Sequence, residues 1–377
     1  MRRAVIVGAG VAGLATALRL GRDGWDTVVV ERAPARRTGG YVVNLLGPGY
    51  DAAERLGLLP ALAAHALGPF TTVLVHADGR AKLTVPAALA EAALGERTVS
   101  VFRGDLESTL YEAVRDHTDL RFGTTVTAAG EGPDVLLSDG TTLTADLLVG
   151  ADGVHSATRP AVFGDGHRVD LPYVVAAFPV AHASPERSAT TFIGPGRTAA
   201  LIDLGPGRSC AFFAYRCETP LEALCRGPVE ALGAAFGDLG GGIPDALRHL
   251  GRDPGGAYFD TVSQVVLPRW SSGRTVLLGD AAWCVTVFAG HGAGLALAGA
   301  DRLGTALREH GTDVTAALAQ WETGLRPAVV RRQAQARRGM LQYAPPTRFH
   351  VWLGDLMVRA VTLPGVRGLV RRAAART

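Results

Sequence analysis

The chain has 377 residues, of which 47% are hydrophobic and 19% are charged. This balance is typical of a globular protein, excludes a disordered chain and leaves room for two lobes, each with its own core. The formal net charge of +3 is small for this length, and Lys82 is the single lysine, so we expect no nucleic-acid partner.

Targeting and metal signals are missing from the sequence pattern. No run of about 18 uncharged apolar residues occurs, which predicts no membrane span. The first strand begins within three residues of Met1, which leaves no room for a signal peptide, so we expect a cytoplasmic protein. The cysteines, Cys210, Cys217, Cys225 and Cys284, form no CxxC pair and no zinc spacing, which predicts reduced thiols and no metal site.

The first 31 residues carry a dinucleotide-binding fingerprint. An apolar strand over 3–7 runs into Gly8-Ala-Gly10-Val-Ala-Gly13, a helix over 11–22 follows, and the next strand, over 27–31, ends at Glu31. Gly8 allows a tight turn, Gly10 lets the backbone approach a pyrophosphate, and Gly13 lets the helix lie close to the strand. Glu31 is placed to accept hydrogen bonds from a ribose. The fingerprint fits NAD as well as FAD, and it adds Val11, Ala12 and Arg32 as candidate cofactor-binding residues.

The sequence then alternates between segments typical of a parallel α/β sheet and segments typical of β-hairpins. An extended segment over 41–44 and a helix over 48–59 continue a doubly wound parallel sheet. A hairpin over 71–85, turning at Asp78 and Gly79, begins a second domain. The first domain resumes near residue 100, with a helix over 104–115, a hairpin over 135–143 and a buried strand over 145–150.

The second half is β-rich and then helical. Successive strands over 173–180, 190–193, 198–204, 209–216 and 258–266 predict an antiparallel sheet, interrupted by a helix over 228–236. A last strand of the first domain over 274–278 precedes helices, one of which we expect to turn or kink at Pro327. The predicted fold class is α/β: a Rossmann-like doubly wound domain, an inserted mostly antiparallel sheet domain and a helical C-terminus.

Two downstream motifs identify a resemblance. Gly150-Ala-Asp152-Gly153-Val-His-Ser156 and Leu278-Gly279-Asp280-Ala-Ala282 resemble those of the single-component flavoprotein aromatic hydroxylases, the para-hydroxybenzoate hydroxylase family. Arg103 matches a further family arginine. Three other segments, 39–41, 49–52 and 288–292, resemble the smaller branch that contains the tetracycline-inactivating monooxygenases. The resemblance covers nearly the whole chain in motif order.

The resemblance implies FAD as the cofactor and a division of the chain into alternating pieces. The FAD-binding domain takes 1–70, 100–171 and 267–340, the substrate domain takes 71–99 and 172–266, and a C-terminal helical segment takes 341–377. By resemblance, Asp280 binds ribityl hydroxyls, and Arg103 supports the ribityl or phosphate portion. By the same resemblance, Asp152 holds the pyrophosphate region and assists use of the nicotinamide cofactor. The remaining predicted cofactor contacts are Gly40, Gly153, Gly279, Gly290, Gly292 and Ala293.

The implied activity is oxygen insertion. An FAD-dependent monooxygenase takes hydride from NADPH or NADH, forms a flavin C4a-hydroperoxide with dioxygen and oxygenates an aromatic or polycyclic, polyketide-type molecule. His291, Gly290 and Gly292 are the flavin-adjacent catalytic candidates. Candidate substrate contacts are Phe178, Phe192, Phe212, Tyr215 and Trp283. Because strand residues alternate, Phe212 and Phe213 cannot both line the pocket.

Departures from the family pattern keep two alternatives open. Trp283 replaces a usual histidine, Thr286-Val287 stands where prolines are common, and Gly294 replaces a frequent asparagine. One alternative is a flavin-dependent dehydrogenase or reductase that inserts no oxygen. The other is a non-catalytic protein that binds flavin and a small molecule. The sequence indicates no oligomeric state.

Overall fold

The computed structural model describes residues 1–36, 40–95, 97–129, 134–181, 187–205 and 207–362. Gly39, which belongs to one of the motifs quoted above, lies outside these ranges. The strands are β1 (Arg3–Val7), β2 (Asp26–Glu31), β3 (Val42–Leu46), β4 (Thr71–Val75), β5 (Ala81–Val85), β6 (Thr98–Phe102), β7 (Asp119–Phe122), β8 (Val126–Ala129), β9 (Asp134–Leu137), β10 (Thr142–Thr144), β11 (Leu147–Gly150), β12 (Arg168–Pro179), β13 (Ser188–Gly194), β14 (Arg197–Asp203), β15 (Ser209–Arg216), β16 (Tyr258–Val265), β17 (Ser271–Ser272) and β18 (Thr275–Leu277).

Helices fill much of the remaining described chain. They are α1 (Val11–Arg22), α2 (Pro48–Arg55), α3 (Leu59–Ala63), α4 (Ala87–Leu94), α5 (Arg103–Val114), α6 (Thr158–Phe163), α7 (Pro220–Arg226), α8 (Pro228–Phe236), α9 (Ile243–Arg252), α10 (Asp280–Trp283), α11 (Gly292–His310), α12 (Val314–Tyr343) and α13 (Arg348–Thr362). Two short 3₁₀ turns cover Pro254–Gly256 and Val287–Ala289.

A six-stranded sheet in the order β17-β18-β11-β1-β2-β7 forms the first domain. Its strands are parallel except β17, which runs antiparallel to β18. Near-continuous apolar runs such as Ala4 to Val7 are buried, because α1 covers one face of the sheet and the small sheet of β8, β9 and β10 covers the other. The carboxyl ends of β1, β2 and β11, marked by Gly8, Glu31 and Gly150, therefore meet at one edge of the sheet.

A seven-stranded sheet in the order β16-β12-β15-β14-β13-β4-β5 forms the second domain. All neighbours are antiparallel except β13 and β4. One face carries Phe178 and Phe213, which pack with Phe236 and other residues of α7 to α9 in a separate core. Its strands come from 71–85 and 168–265, so the second domain is assembled from two distant stretches of the chain.

The predicted fold class is confirmed, and some local expectations are corrected. β6 crosses the predicted boundary at 99/100, and β12 begins at 168, before the predicted 172. α12 runs as one helix from Val314 to Tyr343 and includes Pro327, so the chain forms no separate turn there. The helical segment predicted over 341–377 includes α13, but residues 363–377 lie outside the described chain.

Candidate active site

A cavity of about 880 Å³ lies between the glycine turns of the first domain and the sheet of the second. Segments that are distant in sequence line it together, including the β1–α1 turn, the end of β2, α5, the turn after β11, β16 and the chain around α10 and α11. The predicted residues that line it are Gly8, Gly10, Val11, Ala12, Glu31, Arg32, Gly40, Arg103, Asp152, Gly153, Phe212, Asp280, Gly290, Gly292 and Ala293.

Each of the three fingerprint glycines is needed for a different physical reason. Gly8 has φ +106°, and a Cβ there would lie 2.6 Å from the Ala151 carbonyl oxygen. A Cβ on Gly13 would lie 1.9 Å from the Gly8 carbonyl oxygen, so Gly13 permits helix-to-turn packing but does not line the cavity. A Cβ on Gly10 would meet its nearest neighbour, Glu107 Oε1, at 3.6 Å. Gly10 is therefore free of internal contact and leaves space beside the start of α1, where backbone N–H groups favour a phosphate.

Glu31 is fixed at the end of β2. Its Oε2 accepts a hydrogen bond from the Ala9 amide at 2.9 Å, and its Oε1 accepts one from the Ala33 amide at 2.8 Å. These two bonds tie the carboxylate to the glycine turn and to the loop after β2. A carboxylate oxygen has more than one lone pair, so Glu31 can still accept from a ligand hydroxyl.

Arg103 begins α5 and enters the cavity beside Gly40. Its Nη2 lies 2.7 Å from Glu107 Oε1 one helical turn later. Gly40 has φ +135°, and a Cβ there would lie 3.1 Å from Arg103 Cβ, so this glycine allows the loop to pass close to the arginine. The guanidinium is held in place and still presents donors to the cavity.

Asp280 begins α10 and lines the cavity. Its side chain is accessible from the cavity, although protein lies around it. Desolvation raises its pKa, and the neighbouring Arg103 guanidinium opposes that rise. Gly279, with φ +68°, precedes it, and a Cβ there would lie 2.8 Å from Ala12 Cβ. Gly279 therefore packs α10 against α1 rather than lining the cavity, and the turn aims the carboxyl of Asp280 inward.

Two buried polar atoms in the described residues have no hydrogen-bond partner: Asp152 Oδ1 and Thr286 Oγ1. Both residues line the cavity. Asp152 Oδ2 is engaged, since it accepts from the Ala157 and Thr158 amides and from Thr158 Oγ1 at 2.9 to 3.0 Å. Unpaired buried polar atoms are rare in native proteins. Together with the open cradle at Gly10, they fit a ligand rich in hydroxyl and phosphate groups, as FAD is.

The far end of the cavity is aromatic. Phe212 of β15, Phe288 and Tyr343 line it. Phe288 stacks on Tyr343 with ring centroids 4.8 Å apart at 20°, and it meets Tyr173 edge-on at 6.1 Å. Burial raises the pKa of Tyr343, so its phenol stays protonated and neutral. This end offers flat, apolar walls to a planar molecule.

Four of the five predicted substrate contacts lie elsewhere, and these expectations are corrected. Phe178 and Tyr215 project from the sheet into the core under α8, and Phe192 packs at the edge of the same core. Trp283 is buried against Trp270 and Trp321, with ring centroids 4.6 and 5.7 Å away. Strand alternation accounts for the sheet residues, because the face opposite the cavity takes Phe213 while Phe212 lines the cavity.

We expect Trp283→Phe to lower stability without weakening cofactor binding. The substitution removes part of the tryptophan cluster and leaves a void beside Gly299, whose Cβ position lies 3.0 Å from the indole ring. Loss of this packing costs roughly 1–2 kcal/mol. Thermal unfolding of the FAD-free protein and titration with FAD measure the two effects separately. A large loss of FAD affinity with unchanged stability would contradict this placement.

His291 precedes α11 and lies off the cavity wall, although its neighbours Gly290 and Gly292 line it. Burial, with the nearby Arg332 charge, lowers the pKa of His291 from 6.5 to about 4. Its position does not support the predicted catalytic role. The ring is neutral at physiological pH, and the adjacent helix start disfavours its protonation further.

This shift gives an acid-sensitivity prediction. The unfolded chain binds a proton at His291 below pH 6.5, whereas the folded chain binds it only near pH 4, so stability present above pH 6.5 is lost as the pH falls towards 4. His291→Gln should reduce that loss by on the order of 1 kcal/mol, since the half-buried ring remains partly solvated. Urea unfolding at pH 7.5 and pH 4.5 tests it. Equal pH dependence in both proteins would contradict the prediction.

Several residues that line the cavity were not predicted from the sequence. Phe288 opens the motif over 288–292, and its aromatic side chain could have marked it as a substrate contact. Tyr258 begins β16 and packs against Tyr41 on the cavity wall, with ring centroids 5.9 Å apart. His155 Nε2 lies 2.6 Å from Asp260 Oδ2, which joins the turn after β11 to β16. No local pattern marks Tyr343 or Asp260, because only the tertiary fold brings α12 and β16 to this wall.

The described ranges contain no cluster of metal ligands and no membrane-spanning helix. No group of three or more His, Cys, Asp or Glu residues there could hold a metal ion. No helix within them combines the length and hydrophobicity that a membrane crossing needs. The cysteines in the described chain are free.

Comparisons with known proteins agree with this geometry. Residues 2–192 match the family model described as FAD binding domain. The chain is 30% identical to 3-amino-4-hydroxybenzoate 2-monooxygenase of Streptomyces cremeus over 89% of this chain and 86% of that protein. An FAD-dependent monooxygenase of Sarocladium schorii, asL6, is 29% identical over 89% of this chain and 87% of its own length.

A solved structure shares the fold. The crystal structure of tetracycline destructase Tet(55) superimposes with a TM-score of 0.81 at 24% identity, covering 98% of this chain and 97% of that one. The family model, the curated relatives and the cavity thus lead to one assignment. The chain belongs to the FAD-dependent aromatic hydroxylases, shares the fold of tetracycline destructase Tet(55), and is an FAD-dependent monooxygenase.

Proposed function

We propose that this monooxygenase uses NADPH or NADH and dioxygen to oxygenate an aromatic or polycyclic small molecule. One observation carries the proposal: a single cavity joins a polar end, with Gly10, Arg103 and Asp280, to an aromatic end, with Phe212 and Phe288. A cofactor and a planar substrate can therefore lie side by side in one cavity.

The polar end is proposed to hold FAD. The Gly8 to Ala12 turn and the start of α1 face the pyrophosphate, Glu31 and Arg32 face the adenosine, and Asp280 accepts from the ribityl hydroxyls. Asp152, Gly153, Gly40 and Arg103 complete this end. Gly290, Gly292 and Ala293 lie at the N-terminus of α11 and would place it beside the flavin ring, where its positive dipole would stabilise negative charge on the ring.

The aromatic end is proposed to hold the substrate and to exclude water. Bound FAD, once reduced, supplies the electrons that activate dioxygen. Val287, Phe288 and Tyr343 present apolar surface beside it, which limits water entry and the wasteful release of hydrogen peroxide. Planar or cyclic compounds appear in relatives' names, as in 3-amino-4-hydroxybenzoate for one relative and uric acid in the structure of HpxO from Klebsiella pneumoniae, and this supports the substrate class.

Oxygen incorporation tests the proposal. The FAD-loaded protein is incubated with NADPH or NADH, a panel of phenols and polycyclic phenols, and ¹⁸O-labelled dioxygen. We expect substrate-stimulated NADPH or NADH oxidation and one labelled oxygen atom in the product. A product that is oxidised without label supports the dehydrogenase alternative, and bound FAD that neither nicotinamide reduces supports the non-catalytic one. Either result would overturn the proposal.

A further inference from the structure

Thr286 combines two features that oppose stability in the protein without ligand. It is 4% exposed, and its hydroxyl has no hydrogen-bond partner. Its backbone has φ +97° and ψ 152°, a region that a β-branched residue rarely adopts. Burying an unpaired hydroxyl and straining the backbone both cost free energy, and such costs concentrate at ligand sites.

No group of the described chain near Thr286 forms a hydrogen bond with its hydroxyl. Thr286 directly precedes the 3₁₀ turn Val287–Ala289, where a threonine ordinarily caps the turn with its side chain, but no such bond forms. The backbone is held instead by the Thr286 carbonyl, which accepts a hydrogen bond from the Ala289 amide at 3.2 Å. The hydroxyl is left for a group that enters the cavity, which Thr286 lines.

The position of Thr286 favours the cofactor over the substrate as that group. It lies along the chain between Asp280 and Gly290, both proposed flavin contacts, and all three residues line the cavity. The aromatic wall begins only with Val287 and Phe288. A flavin ring has carbonyl oxygens and ring nitrogens at its edge, which are the acceptors that a threonine hydroxyl can use.

We propose that Thr286 is a flavin-binding residue whose hydroxyl forms a hydrogen bond with the polar edge of the FAD isoalloxazine ring. This extends the proposed function and rests on its FAD site, not on oxygen transfer. A proline at this position, common in the family that the chain resembles, has no side-chain donor, so the contact is specific to chains with a hydroxyl residue here.

Thr286→Val separates this role from a structural one, because valine keeps the shape and the β-branch and removes only the hydroxyl. Without FAD, we expect the valine variant to melt roughly 1–3 °C higher than the unsubstituted protein, since an unpaired buried group is lost. With FAD, its dissociation constant should rise about fivefold to tenfold. The visible absorption bands of bound flavin should shift as well. Thr286→Ser should retain the FAD affinity.

Thr27→Val is the matched control. Thr27 is buried in β2, and its hydroxyl already pairs with Thr118 Oγ1 at 3.0 Å, so this change should not raise the melting temperature and should leave FAD binding unaltered. If Thr286→Val binds FAD with unchanged affinity and spectrum, the proposal is overturned while the FAD site stands. If the unsubstituted protein binds no FAD, the proposed function fails instead.

Discussion

Gly10→Ala is expected to weaken FAD binding roughly 100-fold while the FAD-free protein keeps its stability. Its Cβ would have its nearest neighbour at 3.6 Å, which is ordinary van der Waals contact, and the backbone at Gly10 is extended, with φ −82°. The added methyl group would instead enter the space where the pyrophosphate approaches the start of α1. Titration with FAD and thermal unfolding measure the two quantities.

Two other glycines of the same region serve as controls. Gly21→Ala lies in the last turn of α1, where a Cβ meets nothing within 4 Å, so it should leave FAD binding unchanged and raise stability by about 0.5–1 kcal/mol. Gly13→Ala places a Cβ 1.9 Å from the Gly8 carbonyl oxygen and should disrupt the turn itself. If Gly10→Ala binds FAD as tightly as Gly21→Ala, the pyrophosphate does not lie at this turn.

Asp280→Asn is expected to weaken FAD binding about 10-fold to 150-fold, because hydrogen bonds from the cofactor to a charged acceptor are lost. Because its pKa is raised, chiefly by desolvation, the ionised carboxyl opposes folding at neutral pH, and stability rises as the pH falls through the raised pKa. The neutral asparagine removes that charge. The FAD-free variant should therefore be at least as stable as the unsubstituted protein at pH 7.

Asp301→Asn provides the opposite case. Asp301 is buried, and its Oδ1 and Oδ2 pair with Arg19 and Arg55, so the change removes the buried charge that both arginines share and should lower the melting temperature. Asp301 does not line the cavity, and FAD affinity should be unaffected. Should Asp280→Asn destabilise the FAD-free protein and spare FAD binding, Asp280 would be a structural residue.

Most residues that line the polar end of the cavity were predictable from the sequence because their signals are local. A strand, a glycine turn and a helix in succession fix the geometry around Gly8 and Gly10. The carboxyl ends of parallel strands then bring Glu31, Asp152 and Asp280 to the same edge. The fold class followed from the same alternation of periods, which depends on neighbours in sequence rather than on distant contacts.

The substrate end was not predictable, because tertiary contacts decide which face of an element is buried. Alternation shows that Phe212 and Phe213 point to opposite faces, but only the helices α7 to α9 determine which face becomes the core. Trp283 follows the Gly-Asp-Ala-Ala motif closely, yet it turns into a cluster with Trp270 and Trp321. Tyr343 comes from the end of a long helix whose course past Pro327 the local pattern did not indicate.

The visible absorption spectrum of the purified protein tests most directly whether this cavity holds FAD. We expect the protein to be yellow as isolated, or to become so when FAD is added and excess is removed, with one FAD retained per chain. Loss of that retention in Gly10→Ala, but not in Gly21→Ala, would place the flavin in the cavity. A colourless protein that retains no FAD after reconstitution would contradict the account.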